Sequence, residues 1–126
     1  MDYTGKRAWI YAFIDAPEDN HGALKGQEKE LYDYAEQMEL LLSGTSTDLG
    51  SGHDDNKPGL EQAIAAARDG RFDVLLIKSA DRLHSGAAQA IEKFRQLFEM
   101  GVAVCSPIEG EITPDSLPLI RVEVTV

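Results

Sequence analysis

Residues 7–14 read RAWIYAFI and, once past Arg7, carry no polar interruption before Asp15. A strand that is apolar at consecutive positions, not alternate ones, must be covered on both faces, which asks for a parallel sheet with helices above and below it. The following text meets that demand. From Leu24 to Met38 the apolar residues Leu31, Ala35 and Met38 recur at helical spacing, with Gln27, Glu28, Glu30, Asp33 and Glu36 on the remaining faces. MELLLSG then predicts a short second strand closed by Ser43 and Gly44, and GTSTDLGSGHDDNKPG (44–59) predicts a loop. Pro58 opens a second helix through GLEQAIAAARDG, with Leu60, Ile64 and Ala67 on one face and Gly70 as its stop.

FDVLLI (72–77) predicts the third strand and KSADRLHSG a loop. A third helix follows, with Ala87, Ile91, Phe94 and Phe98 on one stripe, and it ends at Gly101. VAVCSPI predicts the fourth strand. In the tail, LPLIRVEVTV, residues Ile120, Val122, Val124 and Val126 alternate with Arg121, Glu123 and Thr125, the pattern of a half-exposed edge strand. Strands and helices in strict alternation predict a three-layer, doubly wound α/β fold with right-handed crossovers. Ligands of such sheets bind beyond the carboxyl ends of the strands, so Asp15, the 44–59 loop and the 78–85 loop are expected around one crevice.

At 126 residues the chain has the size of a single domain. No apolar run approaches the roughly 18 residues that span a bilayer, and the polar start, Met1 to Arg7, lacks the zones of a signal peptide. A cytoplasmic protein without membrane contact is the expectation. Cys105, the single cysteine, lies in an apolar run and reads as a small buried side chain. Charge restricts function further. Against 12 Lys and Arg stand 22 Asp and Glu, a formal net of −10, which is the wrong sign for a surface that must neutralise phosphates.

Seven short stretches fall in order: YAFID, Gln27, DLGSGHDDNKPGL, GRFDVLLIK, the DRL of 81–83, the MGV of 100–102 and the GEI of 110–112. Together they resemble the catalytic domain of serine recombinases, the resolvase and invertase family, over residues 8–113. The resemblance implies a flavodoxin-like fold, a single resolvase-like domain over 1–126, and a parent activity of site-specific DNA recombination through a phosphoserine link. It also implies family-site positions at Tyr11, Asp15, Gln27, Lys57, Asp81 and Arg82.

At Phe13, Asp15 and Ser85 the chain departs from the family pattern. Where the family reads Tyr-Ala-Arg-Val-Ser, this chain has Tyr11, Ala12, Phe13, Ile14 and Asp15; where it reads Asp-Arg-Leu-x-Arg, Ser85 replaces the last arginine. Lys57 stands where the family carries an arginine, keeping the charge and losing the bidentate fork. Phosphoryl transfer needs a nucleophile and several cations around the equatorial oxygens, each worth factors of about a thousand in rate. The expectation is therefore a homologue that no longer cuts DNA.

Asp15 reads more simply as a loop cap or as an internal partner of Arg82 or Lys57, and Gln27 as a structural amide joining the first helix to the crevice. Ser79 and Ser85 have only His84 as a neighbouring base, and His84 reads as a packing or surface residue. The adjacent His53, Asp54 and Asp55 cannot all face one ion, and Trp9, Phe13 and Phe94 read as core, so neither metal nor cofactor is expected. Pro114 and Pro118 interrupt the stretch where the family carries its dimer helix, and no DNA-binding domain is expected within 1–126. The partners left open are DNA, held weakly and only with a partner or further domain, and a second copy or another recombinase. Two rival functions remain: a magnesium-dependent phosphotransfer domain using Asp15, and an acidic protein-interaction module using the valine-rich tail as a sheet edge.

Overall fold

The computed structural model describes residues 3–16, 18–19, 21–50, 57–81 and 88–116. Strands β1 (Arg7–Ile14), β2 (Leu41–Leu49), β3 (Val74–Leu76), β4 (Ala103–Ser106) and β5 (Gly110–Ile112) alternate with helices α1 (Ala23–Gln37), α2 (Pro58–Arg68) and α3 (Ala88–Glu99). They form one sheet in the order β2-β1-β3-β4-β5, parallel throughout except for the final antiparallel pair. The expected doubly wound α/β fold is what the chain adopts.

Both faces of the sheet are buried, as consecutive apolar positions require. Trp9, Tyr11 and Phe13 of β1 join Leu75, Val104 and the apolar stripes of α2 and α3 in one cluster. Ala8 and Ile10 join Val74, Leu76, Cys105 and the Leu31–Ala35 stripe of α1 in the other. The aromatics Trp9, Phe13 and Phe94 are core residues, and Cys105 is buried and unpaired. Burial pushes the Cys105 thiol up to about 11.

The second strand is longer than the sequence suggests. GTSTDL, read above as loop, continues β2 to Leu49 and pairs residue by residue with β1 from Trp9↔Gly44 to Ile14↔Leu49. Polar residues survive there because the sheet supplies partners: the Trp9 indole donates to Ser46 Oγ at 2.9 Å, and Ser46 Oγ donates to the Gly59 carbonyl at 2.7 Å. Gly44 is obligatory, since a Cβ at that position would stand 2.3 Å from the Trp9 ring. The third and fourth strands are each trimmed relative to expectation, to Val74–Leu76 and Ala103–Ser106. At the far edge the structure places GEI (110–112) as β5, with Gly110 in the left-handed region at φ 73°. The tail strand expected over 117–126 lies outside the described residues. Among the described residues no helix is long and apolar enough to cross a membrane.

Candidate functional site at the carboxyl ends of the strands

Strand β1 ends at Ile14, and Asp15 follows at its tip, exposed. β3 pairs with β1 only as far as Ile10↔Leu76, so beyond that point the β3-facing edge of β1 needs another hydrogen-bonding partner. Gln27, buried on α1, provides it. Its Oε1 accepts from the Phe13 amide at 3.0 Å and its Nε2 donates to the Phe13 carbonyl at 3.1 Å, the pattern a neighbouring strand would offer. Two residues before Asp15, the backbone is thereby fixed from the helix side.

On the opposite face Asp48, at the end of β2, is the organising group. Its buried carboxylate accepts the Tyr11 hydroxyl at 2.7 Å, the Gly59 amide at 2.7 Å and the Leu60 amide at 2.9 Å. Helix α2 begins after Lys57 without a local side-chain cap, and Asp48 takes its place across the sheet edge. The negative charge also complements the helix dipole. The approach is so close that a Cβ on Gly59 would lie 2.4 Å from the Thr47 carbonyl oxygen, which explains the glycine in KPGL.

Lys57 is 4% exposed, and its Nζ lies 4.7 Å from the centroid of the Phe13 ring. A desolvated ammonium on an aromatic face gains about 2 kcal/mol. Lys57 and Phe13, two positions where the resemblance leads one to expect arginine, therefore lie against each other.

The third side of the crevice is the segment after β3. Ile77 and Ser79 are buried, whereas Lys78 and Asp81 are exposed. Glu109, in the β4–β5 connection, holds this segment: the Ala80 amide donates to both of its carboxylate oxygens at 2.8 and 3.0 Å, and Ser106 Oγ donates to it at 3.0 Å. Arg82, His84 and Ser85, with the His53–Asp55 run, lie outside the described residues.

The fold thus brings Tyr11, Phe13, Asp15, Gln27 and Lys57 to one end of the sheet, with Asp81 on the segment beyond β3 at that same end. Asp48 and Glu109 could not be singled out from the letters. Asp48 sits in a polar run, and its importance appears only with the register Phe13↔Asp48 that seats it over α2. Glu109 acts across the sheet, 29 residues from Ala80.

The family model for the resolvase N-terminal domain matches residues 16–117. Among solved structures, the C-terminal catalytic domain of ISC1926 TnpA, an IS607-like serine recombinase, is similar at TM-score 0.67 and 25% identity, over 79% of this chain and 68% of that one. The N-terminal catalytic domain of TP901-1 integrase gives 0.66 and 24%, over 83% and 79%. A resolvase family site-specific recombinase from Streptococcus pneumoniae gives 0.67 and 14%, over 83% and 74%; this likeness and that to the TP901-1 domain are of fold alone. None of the curated proteins compared with the chain matches it significantly.

Proposed function

Since the chain belongs to the family of the resolvase N-terminal domain, we propose that it is a serine recombinase homologue that has lost DNA strand cleavage and acts by binding within recombination machinery. The observation that carries this reading is the contact between Lys57 and Phe13. The ammonium that would face a phosphate lies against an aromatic ring, at 4.7 Å, and the neighbouring strand tip carries the carboxylate of Asp15 in place of a hydroxyl.

Electrostatics supports the same reading. Two like charges about 4 Å apart interact by roughly 4 kcal/mol at an effective dielectric near 20, so a phosphodiester next to Asp15 is repelled before any chemistry. The amino end of α2, a natural receptor for anions, is supplied by Asp48, which accepts the Gly59 and Leu60 amides. An attack by Asp15 itself would form an acyl phosphate while the P–O bond to a DNA oxygen breaks, and the alkoxide expelled in that step is a poor leaving group. DNA and a second recombinase are the partners that fit this family, and the chain's net charge of −10 makes unaided DNA binding weak.

The test is restoration of anion binding. The combined variant Phe13→Arg, Asp15→Ser, Ser85→Arg is titrated with sulfate by calorimetry beside the wild type. The expected result is a saturable site in the variant and none in the wild type. Equal behaviour of the two proteins would overturn the assignment of the crevice.

A further inference from the structure

The nine residues of β2 form one lateral edge of the sheet, and among the described residues no strand pairs with its outer side. The opposite edge, β5, is only three residues long. The Leu41 amide donates to the Lys6 carbonyl, so by alternation Leu41, Gly44, Ser46 and Asp48 direct their backbone groups at β1, with Ser43 as the extra residue of a bulge. Leu42, Thr45, Thr47 and Leu49 therefore direct theirs outward. By the same register their side chains stand on the face of Ala8 and Ile10, where α1 packs.

Open edges are normally blunted by shortness, by lysine, by proline or by an inward charge. The edge LLSGTSTDL holds no lysine, arginine or proline, and its single acid, Asp48, is 3% exposed and spent on Tyr11, Gly59 and Leu60. On a chain of net charge −10 this edge is a neutral seam, where two copies meet without like charges facing each other. Leu42 and Leu49, towards its two ends, are 43% and 40% exposed.

We infer that β2 pairs antiparallel with β2 of a second copy about a two-fold axis at Ser46, joining the two five-stranded sheets into one. Counted past the bulge, this axis sets Leu42 opposite Leu49 of the second copy and Thr45 opposite Thr47, each pair occurring twice. An axis normal to the sheet keeps each face continuous, so the members of each pair share a face. Moving the axis to Thr45 or to Thr47 leaves each leucine opposite a threonine or beyond the end of the partner strand. Paired leucines bury apolar surface, the outward backbone groups gain partners, and an isologous contact closes at two copies. The inference goes beyond the crevice reading and does not rest on it, because Phe13, Asp15 and Lys57 take no part.

The test uses the full chain with one added cysteine, the native Cys105 being buried. Leu42→Cys and Leu49→Cys are purified separately, oxidised alone and as a mixture, and resolved without reductant. The mixture should give a disulfide dimer holding one of each, since such cross-strand partners stand about 5.5 Å apart, within disulfide reach. Neither variant should cross-link efficiently alone, nor should Leu41→Cys, whose side chain shares the face of Arg7, with Leu49→Cys. Sedimentation of the wild type over a range of concentrations should show a monomer–dimer equilibrium. Leu42→Lys with Leu49→Lys sets lysine opposite lysine and should raise the dissociation constant at least about tenfold; if that variant does not fold, the cysteine mixture decides alone. A wild type that stays monomeric, a dimer untouched by the lysines, or a mixture that cross-links no better than its components would each overturn the proposal.

Discussion

The side-chain amide of Gln27 forms two hydrogen bonds with one residue, accepting from the Phe13 amide at 3.0 Å and donating to the Phe13 carbonyl at 3.1 Å. A helix thereby completes the edge of β1 at a height where β3 has stopped pairing. Gln27→Leu keeps the volume and removes both bonds, leaving two buried backbone groups unsatisfied at about 1–3 kcal/mol each. Urea denaturation should show a loss of about 2–4 kcal/mol with an unchanged m-value. A loss below about 0.5 kcal/mol would mean that the amide does not support the strand.

Asp48 carries a comparable burden from the other face. Asp48→Ala removes the cap of α2 and the partner of the Tyr11 hydroxyl together, for an expected cost of about 2–4 kcal/mol. Tyr11→Phe should cost about 1 kcal/mol, and in the Asp48→Ala background its cost should largely vanish, because the two groups are coupled. Additive costs in that double-mutant cycle would deny the contact.

Much of the fold was legible because the sheet is buried on both faces. RAWIYAFI and FDVLLI are apolar at successive positions, and successive side chains of β1 do divide between two cores. The second strand was misjudged at Thr45–Leu49 because its polar side chains look like loop chemistry until the Trp9 indole, the Tyr11 phenol and the α2 amides are brought beside them. The same reason separates the site residues. Gln27 was legible as a structural amide, since a helical glutamine between Leu24 and Leu31 faces inward. Asp48 and Glu109 act through residues distant in sequence, and only the register and the β4–β5 turn bring them into contact.

Cys105 is fully buried, and its thiol is raised to about 11 by burial. At pH 8 the thiolate is scarce and shielded, so a disulfide reagent should label Cys105 only through opening of the structure. The labelling rate should rise with urea in parallel with global unfolding. Rapid labelling of the native protein would contradict the packing of β4.

Arg7 pairs with Asp73 through Nη2 to Oδ1 at 3.2 Å and Nε to Oδ2 at 3.3 Å, joining the segments where β1 and β3 begin. The hydrogen bond from Arg7 holds the Asp73 carboxyl below its ordinary range. A depressed carboxyl contributes stability that is present above its unfolded value, near 3.9, and is lost as pH falls through the folded value. Both side chains are about half exposed, so screening limits the contribution to about 0.5 kcal/mol. Asp73→Asn should therefore lower stability slightly at pH 7 and leave it unchanged near pH 2, as read by thermal melts at both pH values. An equal loss at both would assign the effect to packing.

The central claim is that the crevice carrying Asp15, Phe13 and Lys57 no longer breaks a nucleic-acid backbone. The most direct measurement is covalent trapping: purified protein is incubated with end-labelled fragments of its own genome, quenched in detergent, and resolved for protein-linked DNA. The account predicts no adduct for the wild type with or without magnesium, beside a clear adduct for an active serine recombinase carried in parallel on its own site. A detergent-resistant adduct that disappears on Asp15→Asn would contradict it.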